Sequence, residues 1–385
     1  RRILRRASRF GRQLDQHEPF IHKLVEPLAA SVAHVFPEAA AQATHIAMVI
    51  EAEEESFGNT LDRGLEIFAR LGDKGDISGP NAFQLYDTYG FPLDLTELMA
   101  RERGLSVDTD GFERELEHQR QRGRAATKGR FRATEGVEAA VAGEHSEFIG
   151  YDELEADAIA VHVESVEDTV RVVLDKTPFY AESGGQVGDR GMLQGDSFRI
   201  EVEDTLKARG GIVHAGTLVS GELPVAGAAM HAAVDRSARD AVARNHTSTH
   251  LLHEALRRTL GDHVGQMGSL VSPDRLRFDF SHFHAMEPEQ LLQVDQIVNE
   301  RIRDDLEIST FEEHLNRAKT LGARALFGEK YGERVRVVKI ENFSLELCGG
   351  THVRHTGQIG TFDLSLESGI AAGTRRIEAL SGAGA

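Results

Sequence analysis

The hydrophobic pattern changes period near residue 136, and that change restricts the fold more than any single residue does. Upstream, Ile46, Ile50, Phe57, Leu61, Leu65 and Phe68 recur at helical spacing through one long segment, with acidic residues between them. Pro80 and Pro92 punctuate shorter helical segments, and a helix from about 108 to 122 runs into a basic stretch that Gly123 and Gly129 mark as a looser link. Downstream, from 158 to 235, short β-branched runs are broken by glycines. Val161-His162-Val163-Glu164 and Val170-Arg171-Val172-Val173-Leu174 predict two strands joined through Glu167-Asp168, as in a small barrel or sandwich. Helices return after 236, with His246–Leu260 and 288–305 helical and Val335–Ile340 a strand. The expected architecture is α+β in three parts: a helical domain over 1–135, a β-barrel over 136–235, and an α+β domain over 236–385.

Length and charge narrow the function classes. A chain of 385 residues has room for two or three cores. No apolar run approaches the roughly 18 residues of a membrane-spanning helix, so a membrane partner is not expected. Arg1-Arg2-Ile3 stands where a secretory signal would have Met and an apolar segment, and it lies within an amphipathic helical pattern. An internal piece of a longer cytoplasmic protein is expected. The single cysteine excludes an internal disulfide and fits a reducing compartment. The net charge of −18 works against a nucleic-acid partner, and DNA is not expected. Two basic runs offset it locally: Arg1, Arg2, Arg5, Arg6, Arg9 and Arg12, then Arg120, Arg122, Arg124, Lys128, Arg130 and Arg132. Each run also reads as a solvated helix face. Together, in an acidic protein, they predict a phosphate-binding surface without naming the nucleic acid.

His246-Thr247-Ser248-Thr249-His250 puts two imidazoles at i and i+4 on one helical face, within reach of one ion. With 18 histidines in the chain, chance supplies about one such pair, so the pair decides nothing alone. Thr247 stands where a zinc protease has its glutamate, which disfavours peptide hydrolysis. Cys348-Gly349-Gly350-Thr351-His352 adds the only cysteine, with a histidine four residues on. The two glycines allow a backbone tight enough for both side chains to face one point. Two nitrogens from a helix, with a sulfur and a nitrogen from a glycine-rich turn, form a tetrahedral set suited to one Zn2+. The competing reading is a small buried thiol with surface histidines. Four protein ligands ordinarily close a site around a structural metal, whereas catalysis needs an open position. Spacing leaves both roles open.

Read with their surroundings, these motifs resemble the alanyl-tRNA synthetases. The likeness is carried by Arg1 to Ala7, Leu85 to Pro92, Pro178 to Gln186, Asn245 to Leu252, Ala325 to Gly332, Glu346 to His352 and Gly369 to Glu378, in the family's order and nearly end to end. The resemblance implies that residues 1–135 are the helical tRNA-recognition part of the aminoacylation region, reading a G·U wobble pair in the acceptor stem. Asp87 or Asp94 would take part, the alternative for either being a helix-cap or turn aspartate. It further implies an editing domain that holds Zn2+ through His246, His250, Cys348 and His352 and removes serine, less often glycine, from mischarged tRNA(Ala). Gln266, in Gly265-Gln266-Met267-Gly268-Ser269, matches a glutamine of the family's editing pocket. Gln266 and Cys348 are therefore the candidate catalytic residues. Standalone deacylases and the threonyl enzyme's editing domain share the four-ligand plan, so the helical first part decides the parent family. The family's ATP- and alanine-binding core, with its Mg2+, is expected upstream of Arg1, and its dimerisation region beyond Ala385. No nucleotide-binding signature is found within this chain.

The reaction so implied, hydrolysis of an ester between an aminoacyl carbonyl and the terminal ribose, needs an activated water and a stabilised oxyanion. No Ser–His–Asp set can be assigned, so metal-assisted attack is the expected mechanism. A pocket that hydrogen-bonds the serine hydroxyl leaves polar groups unpaired when alanine enters. Gln266, Thr247 and Thr249 are candidates for that contact, the alternative for the threonines being ordinary helix packing. Arg375 and Arg376 read either as phosphate contacts or as partners of surface carboxylates. Gly184-Gly185-Gln186 also occurs in peptide-release factors, where it hydrolyses an ester on tRNA, but its context from Ala181 to Asp189 is synthetase-like. The tripeptide reads either as a tight glycine turn between strands or as backbone lining the pocket at the acceptor end. The alternatives to an editing fragment are a free-standing trans-editing deacylase and a tRNA-binding module with a structural zinc.

Overall fold

The computed structural model describes residues 1–384 other than 74, 133–145, 167, 209–210, 326–330 and 372. By its internal contacts the chain forms two units, Arg1–Gly129 with Ala371–Gly373, and Arg130–Ile370 with Thr374–Ala385. Glu167 and the stretch 326–330 of the Ala325–Gly332 motif lie outside the described residues, as do the side chains of the second basic run from Arg122 to Arg132.

The first unit is built from α1 (Arg2–Gln13), α2 (Val25–Val32), α3 (Pro37–Ala41), α4 (Ala43–Gly72), α5 (Gly79–Tyr89), α6 (Leu93–Glu102) and α7 (Thr109–Arg132). The long apolar stripe read from the sequence is α4, which buries Phe57, Leu61 and Phe68 against Leu85, Phe91, Leu95 and Met99. Pro80 sits in the first turn of α5 and Pro92 at the N-cap of α6, where a missing N–H costs nothing. Between them Gly90 takes the left-handed conformation (φ 68°) that ends α5, and Phe91 turns into the core. An alanine Cβ at Gly64 would stand 2.3 Å from the Phe91 ring, so the link between α5 and α6 packs onto α4 at that glycine. One expectation fails here. α7 continues through Gly123 and Gly129 to Arg132, because the good helix formers around each glycine outweigh its cost of about 1 kcal/mol.

The second unit begins with β1 (Glu147–Phe148), β2 (Glu155–Val166), β3 (Thr169–Leu174), β4 (Lys176–Thr177), β5 (Gly191–Gln194), β6 (Phe198–Ala208), β7 (Gly211–Gly221) and β8 (Ala229–Val234). Six of these close a barrel in the order β2-β3-β7-β6-β5-β8, every neighbouring pair antiparallel. The period of two is plain in β6, where Phe198, Ile200 and Val202 point inward and Arg199, Glu201 and Glu203 outward. Of the two forms open from sequence, the chain takes the closed one, which leaves no exposed edge.

Next comes α8 (Arg236–Leu260), then β9 (Gln266–Val271), β10 (Leu276–Ser281), α9 (Pro288–Arg303), β11 (Ile308–His314), α10 (Leu315–Thr320), β12 (Arg334–Ile340), β13 (Ser344–Leu347), β14 (Phe362–Ala371) and β15 (Thr374–Ser381). They form a four-stranded sheet, β14-β15-β10-β9, and a three-stranded one, β11-β12-β13. The core between them is Leu251, Leu252, Ala255 and Leu256 of α8, Phe278 and Phe280 of β10, Val294 and Val298 of α9, and Ile340 of β12. α8 starts ten residues before the expected helix, at an Asp235 N-cap whose carboxylate accepts from the Ala238 N–H at 3.1 Å.

Candidate metal centre

α8 carries His246 and His250 one turn apart on its buried face, with ring centroids 5.4 Å apart and planes within 8° of parallel. β13 leads directly into the glycine turn that presents Cys348 and His352. One ligand atom from each of His246, His250, Cys348 and His352 lies within 4.8 Å of the others. Cys348 Sγ is 3.4 Å from His246 Nε2 and 3.4 Å from His352 Nε2. Sulfur and nitrogen sharing one tetrahedral zinc stand about 3.5 Å apart, given bonds near 2.3 and 2.0 Å. His250 Nε2 is buried with no hydrogen-bond partner, an orphan that a metal would satisfy. The residues present therefore fit Zn2+.

Each imidazole is held at Nδ1, which turns Nε2 toward the common point. His246 Nδ1 is 2.7 Å from Gln186 Oε1, and the same oxygen accepts from the Thr351 N–H at 3.0 Å. His250 Nδ1 bonds Glu346, a residue 1% exposed, which also lies 2.8 Å from His253 Nδ1. His352 Nδ1 is 3.4 Å from Thr247 Oγ1, whose own hydroxyl donates to the Ala243 carbonyl at 2.8 Å. Arg336 donates to the carbonyls of Cys348 (3.1 Å) and Gly350 (2.8 Å), and Tyr151 Oη donates to that of Gly349 (2.7 Å). The Arg336 guanidinium lies over the Tyr151 ring, 4.1 Å from its centroid. Gly350 has no room for a side chain: a Cβ there would stand 2.1 Å from His246 Cε1.

Without an ion the cluster sets a thiolate against a protonated histidine, and a metal would take the place of that proton. Burial alone would raise the Cys348 thiol, but His246 and His352 hold it well below its ordinary range. Burial likewise works against a charged His250, yet Glu346 and then Cys348 carry it up to about 10. Burial pushes His352 down to about 3, leaving a neutral imidazole. Glu346 would rise with burial, but His253 and His250 hold it below the usual carboxylate range.

Comparison with known proteins bears on the same residues. The family model for class II tRNA synthetases (A) matches residues 1–238, and that for the threonyl and alanyl tRNA synthetase second additional domain matches 335–378. The alanine–tRNA ligase of Methylococcus capsulatus is 50% identical over 399 residues, covering 100% of this chain and 45% of that protein. The ligase of Pelotomaculum thermopropionicum is 47% identical over 407 residues, covering 100% of this chain and 46% of that protein. This chain belongs to the alanine–tRNA ligase family. It spans less than half the length of these relatives.

The other residues singled out from sequence divide between the surroundings of this cluster and ion pairs away from it. Gly184 and Gly185 have φ of 59° and 84° and form the centre of a tight turn, with Ser183 and Gln186 exchanging backbone hydrogen bonds of 3.2 and 3.0 Å. Gln186 is fully buried beneath the ligands. Gln266 opens β9 and donates to Ser269 Oγ (3.1 Å), which donates to the Gly184 carbonyl (3.4 Å). Thr249 Oγ1 donates to the Asn245 carbonyl at 2.9 Å. Arg375 grips Glu367 with two bonds of 2.6 and 2.7 Å, and Arg376 grips Asp279 with 2.7 and 2.8 Å. In the helical unit Arg1 and Arg5 lie 3.2 and 2.7 Å from Glu53, while Arg2 and Arg6 lie 3.9 and 2.8 Å from Asp94. Asp87 accepts from Gln119 Nε2 at 2.7 Å. Sequence reasoning passed over Glu346, Tyr151 and Arg336. Glu346 had a local signal, as a carboxylate at an inward position of the apolar strand Ser344–Leu347.

Proposed function

We propose that this chain is the editing part of an alanine–tRNA ligase, a cytoplasmic aminoacyl-tRNA deacylase that hydrolyses Ser-tRNA(Ala) and, less readily, Gly-tRNA(Ala). The convergence of His246, His250, Cys348 and His352 carries the reading. In it, residues 1–135 recognise the acceptor stem through Asp87 or Asp94 and the α1 arginines, 136–235 form the barrel, and 236–385 form the editing core. Bound zinc supplies a Lewis acid that polarises the ester carbonyl or lowers the pKa of a water to about 7. The protein's share is orientation. Gln186, Glu346 and Thr247 hold the Nδ1 protons, and Arg336 fixes the turn that carries Cys348. His352 is the ligand suited to yield a position to water or substrate, since it is partly exposed and its anchor is the longest, 3.4 Å against 2.7 Å for His246. Gln266 contacts the serine side chain, and the Gly184-Gly185 turn, to which Ser269 ties it, borders the acceptor end.

The second reading, a tRNA-binding module with a structural zinc, is favoured by the closed set of four ligands. Hydrolysis of Ser-tRNA(Ala) by the zinc-loaded chain, with Ala-tRNA(Ala) in parallel, separates the two. Serine-selective deacylation supports editing, and background rates from a folded, zinc-loaded sample support the module. Cys348→Ala then gives a folded, inactive chain in the first case and an unstable one in the second.

A further inference from the structure

We propose that a cavity of about 560 Å³ beside His352, lined by Arg236, Arg244, Arg336 and Arg354, is an anion subsite for a phosphodiester of a single-stranded nucleotide end. The assignment rests on the deacylase reading for the identity of the anion, and on charge and geometry for its place.

His352 and Cys348 are the two members of the four with partial exposure, and of the two it is His352 that lines this cavity. Two cavities adjoin it. They share Tyr151, Asp152, Arg336 and Arg354, and they differ in charge. The second, of about 680 Å³, adds Glu307 and Glu312. The first adds Arg236, Arg239, Arg244 and Asp240. Arg239 is neutralised by Asp189, with which it forms a buried pair. Among the described residues no carboxylate lies within ion-pair distance of Arg236, Arg244, Arg336 or Arg354. Arg236, Arg244 and Arg354, with Arg336 already committed to the Cys348 and Gly350 carbonyls, thus line a space that holds only Asp152 and Asp240 against them, in a chain of net charge −18. Such a cluster repels itself unless an anion joins it, and arginine forks fit phosphate oxygens. Arg236 is also the first residue of the 25-residue α8, so the helix dipole adds to the positive field. The volume far exceeds that of inorganic phosphate and has room for a nucleotide. An ester on the terminal ribose, placed at His352, would leave the preceding phosphodiester within this cavity.

The test uses the full zinc-loaded chain and the dinucleotide cytidylyl-(3′→5′)-adenosine, with adenosine and inorganic phosphate as parallel probes, by calorimetry at low salt. The dinucleotide should bind more tightly than either probe. The exposed pair Arg236→Glu/Arg354→Glu should weaken it by about tenfold or more, at unchanged zinc content and melting temperature. Arg244→Gln should weaken it in the same sense. Dinucleotide binding that is absent, or equal in the wild type and the double variant, would overturn the subsite. Inorganic phosphate binding as tightly as the dinucleotide would overturn the nucleotide assignment. The two readings fail separately. Arginine-dependent binding without any Ser-tRNA(Ala) hydrolysis would sink the deacylase and keep the subsite, whereas hydrolysis with an unchanged KM in the double variant would do the reverse.

Discussion

Gln186 Oε1 lies 2.7 Å from His246 Nδ1, joining a barrel loop to a helix residue 60 positions away. The amide oxygen also takes the Thr351 N–H, and the amide nitrogen donates to Thr351 Oγ1 at 3.0 Å. One side chain therefore sets the ring of a helix ligand and the turn of the cysteine pair. Gln186→Ala should lower zinc affinity roughly 10- to 100-fold, and Gln186→Glu, which keeps an acceptor, should lose less. Chelator competition measures both, and equal affinities for all three proteins would remove Gln186 from the metal's support.

Gly350 is closed to any side chain. Because a Cβ would meet His246 Cε1 at 2.1 Å and Gln186 Oε1 at 2.7 Å, Gly350→Ala must displace the ring or the turn. The expected result is substoichiometric zinc with the fold retained at a cost of about 1–3 kcal/mol. Gly349→Ala, whose Cβ would meet nothing closer than Tyr151 Oη at 4.0 Å, should keep its zinc. Metal analysis and thermal melting of the two variants, side by side, check the contrast.

His214 makes the barrel acid-sensitive. The ring is fully buried between Thr177 Oγ1 (2.8 Å) and the Val172 carbonyl (3.0 Å), and burial lowers its pKa from 6.5 to about 4. The unfolded chain then binds the proton more readily than the folded one, so stability is full above about pH 6.5 and falls as pH drops toward 4. The loss attributable to this group is about 3 kcal/mol. Urea unfolding at pH 7 and pH 4.5 should show a smaller decline for His214→Gln than for the wild type, and parallel declines would count against the assignment.

Arg239 and Asp189 form the buried ion pair that fastens the start of α8 to the barrel. Arg239 Nε stands 3.0 Å from both Asp189 oxygens, while its other nitrogens reach the carbonyls of Gly150 (2.6 Å) and Pro178 (2.8 Å). Removing one partner strands a buried charge, so Asp189→Ala should destabilise by about 3–5 kcal/mol. Denaturant unfolding measures it, and a loss under 1 kcal/mol would show that the site admits water.

What was legible in the sequence was local. The 3.6-residue stripe of α4 and the period of two in the barrel strands follow from which face each side chain takes, and both could be read directly. So could the His246/His250 face and the likeness that joins it to Cys348 and His352. Partners far along the chain could not be read. The arginines of α1 read as a solvated face or a phosphate-binding run because Glu53 and Asp94 lie dozens of residues away, and a charge pattern looks the same whether its partners are water, phosphate or carboxylates. Gln186 sat in a tripeptide whose backbone explains its glycines but says nothing of where the glutamine points. The first turns of α8 were missed although the Asp235 cap was visible, because their apolar stripe is only Ala238, Val242 and Ala243 amid charged residues.

The turn Ser183–Gln186 has one more consequence. Its glycines let the backbone double back, so that Val271 N–H reaches the Gly185 carbonyl (2.8 Å) and Val187 N–H the Val271 carbonyl (3.1 Å), stitching the barrel to β9 while Gln186 drops beneath the ligands. Cation occupancy and barrel docking thus report on each other. If the four donors hold a cation, a change deep in the barrel would surface as weakened chelation, and removing the cation would loosen a β-rich body that contributes none of the four donor atoms. Cutting the chain at residue 235 would sever two halves of one cooperative structure.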